Sequence, residues 1–415
     1  MKSIDPSKTH AVLHRAQHLD GVKYEIRGPL ARRAHELERL GYEIIKLNIG
    51  NPAQFGFRTP ETMRLAIIEN LAQAEGYCHQ KGIFPAREAV VMDTQARGLR
   101  GVTVEDVFMG NGVSELILMC LEALLERDAE VLVPGPDYPL WTAAVSLTGA
   151  RPVHYPCRPE KGFVPDPEEV ERMITPRTRA LVIINPNNPT GAVYPREVLE
   201  GLVRVAERHG LVLFSDEIYD RILYDGATHV PAAALCNDTL CATFGGLSKV
   251  YRACGLRTGW VFFSGKKSHA GDFLEGLELL ASLRLCSNVP GQWAVQTALG
   301  GQQSIYELTA ETGRLGRQRR ALLDGIAKSE FMDVVAPMGA LYAFPSIDTK
   351  RIPEFDDATF AMELLEREHV LVVPGSSFNV PYKNHLRLTL LPDEDTISEV
   401  FERMERLLTR WAEGR

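Results

Sequence analysis

The sequence predicts an α/β fold, a largely parallel sheet clothed by helices, with a smaller α+β unit from about residue 305 onward. Three observations carry this. Short apolar runs end in Gly, Pro, Asn or Asp at 107–110, 131–135, 180–185, 211–216 and 240–245, and helical stretches separate several of them. Runs such as Ala-Leu-Val-Ile-Ile (180–184) and Leu-Val-Leu-Phe (211–214) show no alternation of polar and apolar residues, so both faces of those strands are to be covered. Late in the chain, Leu386, Leu388 and Leu390 alternate with His385, Arg387 and Thr389, the pattern of a half-covered antiparallel strand.

Residues 1–23 read as a loose arm. A helix is predicted from Gly28-Pro29, with Leu30, Ala34, Leu37 and Leu40 on one face and Gly41 as its stop. A strand over 44–49 runs into the turn Gly50-Asn51-Pro52. Residues 66–74 read as helix, 76–82 as a glycine-containing loop, and a further helix starts at Pro85. The clearest helix is 195–209, with Val198, Leu202 and Val205 on one stripe and Gly210 at its end. Beyond residue 303, long amphipathic helices are expected over 303–328, 358–368 and 396–411.

With 415 residues, two domains are expected rather than one. Charged residues make up 24% and apolar ones 45%, an ordinary globular composition. The net charge of −8 gives no reason to expect a polyanion-binding surface. The one basic knot, Arg314, Arg317, Arg319 and Arg320, sits at helical spacing and reads as a solvated helix face. Seven scattered cysteines without a CxxC pair argue against a disulfide framework or a zinc site, and for a reducing compartment. The polar start MKSIDPSKTH lacks a signal-peptide core, and the run 116–125 is interrupted by Glu122, well short of the roughly 20 residues that span a bilayer. The expectation is a cytoplasmic protein.

In an open parallel sheet, ligands sit beyond the carboxyl ends of the strands. Polar clusters lie at such ends: NPNNPTG (185–191), SDEIYD (215–220) and GGLSK (245–249), with Arg257 eight residues after Lys249. Singly, each residue has an ordinary reading. Lys249 is a surface lysine, Asp216 a helix N-cap, Tyr219 half-buried packing and Asn188 a turn residue. Together they supply an amine that forms an imine, a carboxylate for a protonated pyridine nitrogen, and two hydrogen-bond partners for a phenolic oxygen. Gly110-Asn111-Gly112-Val113-Ser114 joins a strand to a helix start, an anion site that Ser248 and Arg257 complete. It is not a dinucleotide fingerprint. These groups describe a pyridoxal 5′-phosphate site.

NNPTG, SDEIY, GLSK with Arg257, and HLRLTL make the chain similar to the class I/II aminotransferases of the pyridoxal-phosphate fold type I, over nearly its whole length. The resemblance implies a mostly parallel seven-stranded sheet in a large domain over 63–304. A smaller domain would be built from both chain ends, 1–62 and 305–415. It implies that Lys249 binds the cofactor and moves the substrate's proton, that Asp216 pairs with the ring nitrogen, and that Asn188 and Tyr219 hold the phenolic oxygen. Tyr138 in PGPDYPLW matches the aromatic stacked on the ring, with core packing as its other reading. Gly112, Val113, Ser248 and Arg257 match the phosphate contacts, though many members carry serine where this chain has Gly246. Tyr77 matches a tyrosine that reaches the neighbouring subunit's phosphate, implying a homodimer with shared active sites. Arg387 matches the arginine gripping the substrate α-carboxylate, and Gly50 falls among the substrate-binding positions. KYEIRG (23–28), LNIGNPAQFGF and GYCHQKGIFPAR look most like the bacterial alanine (glutamate–pyruvate) aminotransferases, which implies ping-pong transfer between the two amino acids. Arg27 is then the residue for glutamate's distal carboxylate, or simply a surface arginine. The same motifs serve transaminases of aromatic, branched or acidic amino acids and β-elimination lyases. A non-catalytic module fused to a DNA-binding domain would need more than the roughly 20 residues that precede the first helix.

Overall fold

The computed structural model describes residues 13–16, 19, 22 and 28–414. Most of the expected loose arm, 1–23, therefore lies outside the described residues, and so does Arg27. Seven strands form the central sheet: β1 (Val107–Gly110), β2 (Glu130–Gly135), β3 (Arg151–Pro156), β4 (Thr178–Ile184), β5 (Val212–Asp216), β6 (Leu240–Gly246) and β7 (Gly259–Gly265). Their order across the sheet is β1-β7-β6-β5-β4-β2-β3, and every pairing is parallel except those made by β7. Ala180 to Ile184 and Leu213 to Phe214 are fully buried, because helices cover both faces, as the missing alternation requires.

Two strands escape the apolar-run reading. Strand β3 carries Pro152 and Pro156 and lies at the sheet edge, where a missing N–H breaks no ladder. Strand β7 returns beside β6 in antiparallel register, Gly246 opposite Gly259, and so turns the intervening Lys249 loop back over the sheet's carboxyl end.

A second group of strands, β8 (Tyr342–Ala343), β9 (Val373–Pro374) and β10 (Leu386–Thr389), forms a small antiparallel sheet with β10 in the middle. The alternation at 385–390 was expected to separate core from solvent, but Arg387 and Thr389 are as buried as the leucines. The Thr389 hydroxyl donates to the Leu341 carbonyl at 3.1 Å, and Arg387 faces a cleft shared with the large sheet. The amino-terminal part joins this unit. Ile45–Lys46, all that forms of the expected strand over 44–49, pairs in parallel with Val370–Leu371. The helix Pro29–Arg39 buries Ala34 and Leu37 against Leu365 and Leu371. Leu40, expected on that face, is the C-cap and is 72% exposed.

Other boundaries move for local reasons. The helix expected over 66–74 starts at Glu61, ends at Glu69 and continues as a 3-10 turn, Leu71–Ala74. The long helix over 303–328 splits into Ile305–Thr309 and Arg314–Lys328. Gly313 breaks it where a Cβ would lie 2.1 Å from the Glu307 carbonyl oxygen. The basic knot on the second piece is not one solvated face. Arg319 is buried, donating to the Pro337 carbonyl and Asp225, and the Arg314 guanidinium lies 3.9 Å over the Phe57 ring. Arg317 and Arg320 form exposed ion pairs, as a solvated face would. Among the described residues no helix is long and apolar enough to cross a membrane.

Candidate active site

The strand ends and the small sheet enclose a cleft of about 750 Å³, within the range of small-molecule sites. Gly50, Val113, Tyr138, Asn188, Asp216, Tyr219, Ser248, Lys249, Arg257 and Arg387 all line it. Gly112 stands one residue behind Val113, at φ 81°, and a Cβ there would lie 2.2 Å from Arg257 Nη2, so only glycine leaves the guanidinium its place. Tyr77 is the predicted site residue that is described and does not reach the cleft; its side chain is 82% exposed.

Asp216 ends β5 at 3% exposure. The Trp141 indole donates to it at 3.0 Å and the Ile218 amide at 3.4 Å, both neutral donors. Burial pushes its carboxyl up to about 6, with the Trp141 bond opposing. Arg387, which lines the same cleft, is 1% exposed. It lies over the Tyr342 ring at 4.4 Å and the Phe378 ring at 4.9 Å, and donates to the Asn48 carbonyl and to Asn188 Oδ1. These are neutral acceptors, and Arg387 Nε has no partner among the described residues. Because a guanidinium only donates, its bond fixes Asn188 Oδ1 as acceptor and leaves the Asn188 amide nitrogen as the donor to the cleft. Among the described residues neither group has an ion-pair partner, so the cleft holds a buried carboxylate and a buried guanidinium met by neutral groups.

Lys249 follows β6 and its Nζ donates to the Gly50 carbonyl at 2.7 Å, with Cys254 Sγ at 3.9 Å. Val113 and Ser114, the first residues of the helix Val113–Leu124, line the cleft with Arg257, and a helix start leaves its first N–H groups without intrahelical partners. Arg257, at φ 47°, is held by the Cys254 carbonyl at 2.9 Å and the Asn111 carbonyl at 3.2 Å. The Gly246 departure has a steric reason. A Cβ there would lie 3.1 Å from the Thr258 carbonyl oxygen and 3.2 Å from Gly259 Cα and Ile218 Cδ1, so a side chain would require these neighbours to give by a few tenths of an ångström.

Sequence reasoning missed Trp141 and Tyr342. Trp141 sits one helical turn after Tyr138, a spacing that could have pointed to it. Tyr342 has no local signal: it enters through the pairing of β8 with β10, and its hydroxyl meets that of Tyr219 at 3.2 Å.

Comparison with known proteins agrees with this geometry. Residues 42–404 match the family described as aminotransferase class I and II. The chain is 50% identical over 397 residues to glutamate-pyruvate aminotransferase AlaA of Escherichia coli (strain K12), covering 96% of this chain and 98% of that protein. It is 49% identical over 394 residues to alanine aminotransferase of Mycobacterium bovis, covering 95% and 92%. A crystal structure of an aminotransferase from Escherichia coli superposes with a TM-score of 0.95 at 49% identity, over 96% of this chain and 99% of that one. The chain belongs to the class I and II aminotransferases.

Proposed function

We propose that this protein transfers the amino group between L-alanine/pyruvate and L-glutamate/2-oxoglutarate by a ping-pong mechanism, with pyridoxal 5′-phosphate bound in the cleft. The observation that carries this reading is the pair of buried charges without an ion-pair partner among the described residues, Asp216 and Arg387, that line one cleft with Lys249. Asp216 calls for a cation and Arg387 for an anion, and a protonated pyridine nitrogen and an amino-acid carboxylate meet both demands. The names printed for the 49–50% identical relatives support the choice of alanine and glutamate.

The residues fit the cofactor. Val113 N–H, Ser248 and Arg257 would hold the phosphate, Tyr138 the ring face, Asn188 and Tyr219 the phenolic oxygen. When bound, pyridoxal 5′-phosphate supplies an electron-withdrawing ring conjugated to the substrate nitrogen, which acidifies the substrate α-carbon. Asp216 keeps that ring nitrogen protonated. Arg387 and Asn188 orient the substrate by its carboxylate. Lys249 Nζ would take the proton from the α-carbon and pass it to the cofactor's C4′ within the same half-reaction, and would carry it the other way in the second. We further assign residues 63–304 to the cofactor-binding domain, 1–62 and 305–415 to the smaller one, and the protein to the cytoplasm. A homodimer is supported by exposed apolar side chains, among them Ile68, Leu71, Leu279 and Leu283, of the kind a second copy covers. Gln80, three residues after Tyr77, ties that loop to the helix Gly271–Leu283 by donating to Glu278 at 2.9 Å.

The test is a yellow holoprotein bleached by borohydride, assayed with glutamate against a panel of 2-oxo acids. Pyruvate should give the highest kcat/KM. Pyruvate release from a thioether amino acid without an acceptor would overturn the transaminase reading.

Asp216 makes the cofactor's stabilisation pH-dependent. Its folded value, about 6, lies above the roughly 3.9 of an unfolded aspartate. Its contribution is therefore fully present below pH 3.9 and is lost as the pH rises through 6, about 3 kcal/mol in all. A cationic ring nitrogen lowers the folded value and removes that loss. The gap in Tm between loaded and cofactor-free protein should widen from pH 5 to 7.5, and Asp216→Asn should abolish the widening. A gap independent of pH in the wild type would mean that no cation meets Asp216.

A further inference from the structure

The roles proposed above leave out Tyr342, yet it touches two of the groups that carry them, Arg387 and Tyr219, and lies against Gly50. Its ring lies under the Arg387 guanidinium at 4.4 Å, with Phe378 at 4.9 Å, so a buried cation rests on two aromatic faces. Its hydroxyl meets the Tyr219 hydroxyl at 3.2 Å, with the two rings edge to face. That hydroxyl also fills the space left by a glycine: a Cβ on Gly50 would lie 2.1 Å from Tyr342 Oη. The Gly50 carbonyl is the acceptor of Lys249 Nζ, which brings the tyrosine oxygen beside the lysine's anchoring point.

The charged and titratable groups facing Tyr342 come from every side of the cleft. Lys249 and Cys254 come from the loop after β6, Tyr219 from the segment after β5, and Arg387 from β10. Burial works to raise the Tyr342 hydroxyl and Cys254 opposes its ionisation, but Lys249, Arg387 and the hydrogen bond from Tyr219 together outweigh both and pull it below the usual tyrosine value. Tyr219 moves the other way, well above that value, through burial and the neighbouring Tyr342. The two hydroxyls are thus electrically unlike, one biased toward giving up its proton and the other toward keeping it.

We propose that Tyr342 is a positioning residue with two separable parts: its ring holds Arg387 for the substrate carboxylate, and its hydroxyl holds Tyr219 and favours the protonated form of the Lys249 nitrogen. This rests on the function proposed above, and extends it to a residue that reaches the site through tertiary pairing alone. The parts come apart by substitution. Phenylalanine keeps the ring and removes the oxygen, whereas leucine removes both.

With the protein loaded with pyridoxal 5′-phosphate, Tyr342→Phe should leave KM for alanine within about twofold and lower kcat about tenfold, the scale of one hydrogen bond. The pH midpoint of the bound cofactor's visible absorbance should fall by about half a unit, since a group favouring the protonated lysine nitrogen is gone. In the cofactor-free protein, ultraviolet titration should show one tyrosine ionising ahead of the rest in the wild type and none in Tyr342→Phe. Tyr342→Leu should in addition raise KM for alanine, and the Kd of propionate, about tenfold, the scale of a desolvated cation–π contact. A midpoint unmoved or raised in a yellow Tyr342→Phe protein overturns the hydroxyl part, and equal KM values for the two variants overturn the ring part. Both readouts presuppose cofactor uptake, so a wild type that stays colourless with added cofactor overturns this proposal together with the function it rests on. Should Tyr342→Leu fold poorly, Tyr342→Met takes its place as the variant without a ring, read by the same KM and propionate Kd.

Discussion

Lys249→Ala should lower kcat by roughly 10⁴-fold while the protein still takes up its cofactor, because general-base proton transfer is worth about 10²–10⁴ and the covalent attachment is lost as well. The phosphate cup, Asp216, Asn188 and Tyr219 are untouched by this change, so equilibrium dialysis should find the cofactor still bound, and borohydride should no longer fix it to the chain. Folding should suffer little. The half-buried lysine gives up its hydrogen bond to the Gly50 carbonyl, worth about 1 kcal/mol, and a long one to Cys254 Sγ. Single-turnover absorbance of the alanine half-reaction checks the prediction directly. Turnover near that of the wild type would show that another group moves the α-proton.

Arg387→Lys should raise KM for both alanine and glutamate about 100-fold, with a smaller effect on kcat. The guanidinium donates to Asn188 Oδ1 and the Asn48 carbonyl while stacked between two rings, and still has Nε without a partner among the described residues. A lysine keeps the charge, but its compact ammonium cannot present a planar fork or stack on Tyr342 and Phe378. The loss is about 2–3 kcal/mol of carboxylate binding, which is where the 100-fold comes from. Binding of a simple alkylamine, with no carboxylate to grip, should be unchanged, and that comparison separates a lost grip from general damage. Unchanged KM for the amino acids would place the carboxylate elsewhere.

Much of this site was legible before any coordinates. Asp216 and Asn188 stand at the ends of apolar runs that do not alternate, and a parallel sheet sends such ends to one crevice. Lys249 follows the same rule after β6. The parts that escaped reading share a cause. Strand β3 has prolines because it is an edge, and nothing local says which run will be an edge. Arg319 sits at the spacing of its exposed neighbours but is buried, because Asp225 and the Pro337 carbonyl come to it from other segments. Tyr77 has a predicted role that needs a second chain, so within one chain it is simply exposed.

By itself the sequence determined which chemistry was present and which elements carried it, since residue type, strand-end position and the 3.6- and 2-residue periods are local properties. Tertiary structure alone decided what touches what. Lys249 reaches Gly50, and Arg387 reaches Asn188, each across 199 residues. No periodicity encodes such a meeting. It follows from two sheets closing on one cleft, which is why Tyr342, silent in the sequence, lies between Tyr219 and Arg387.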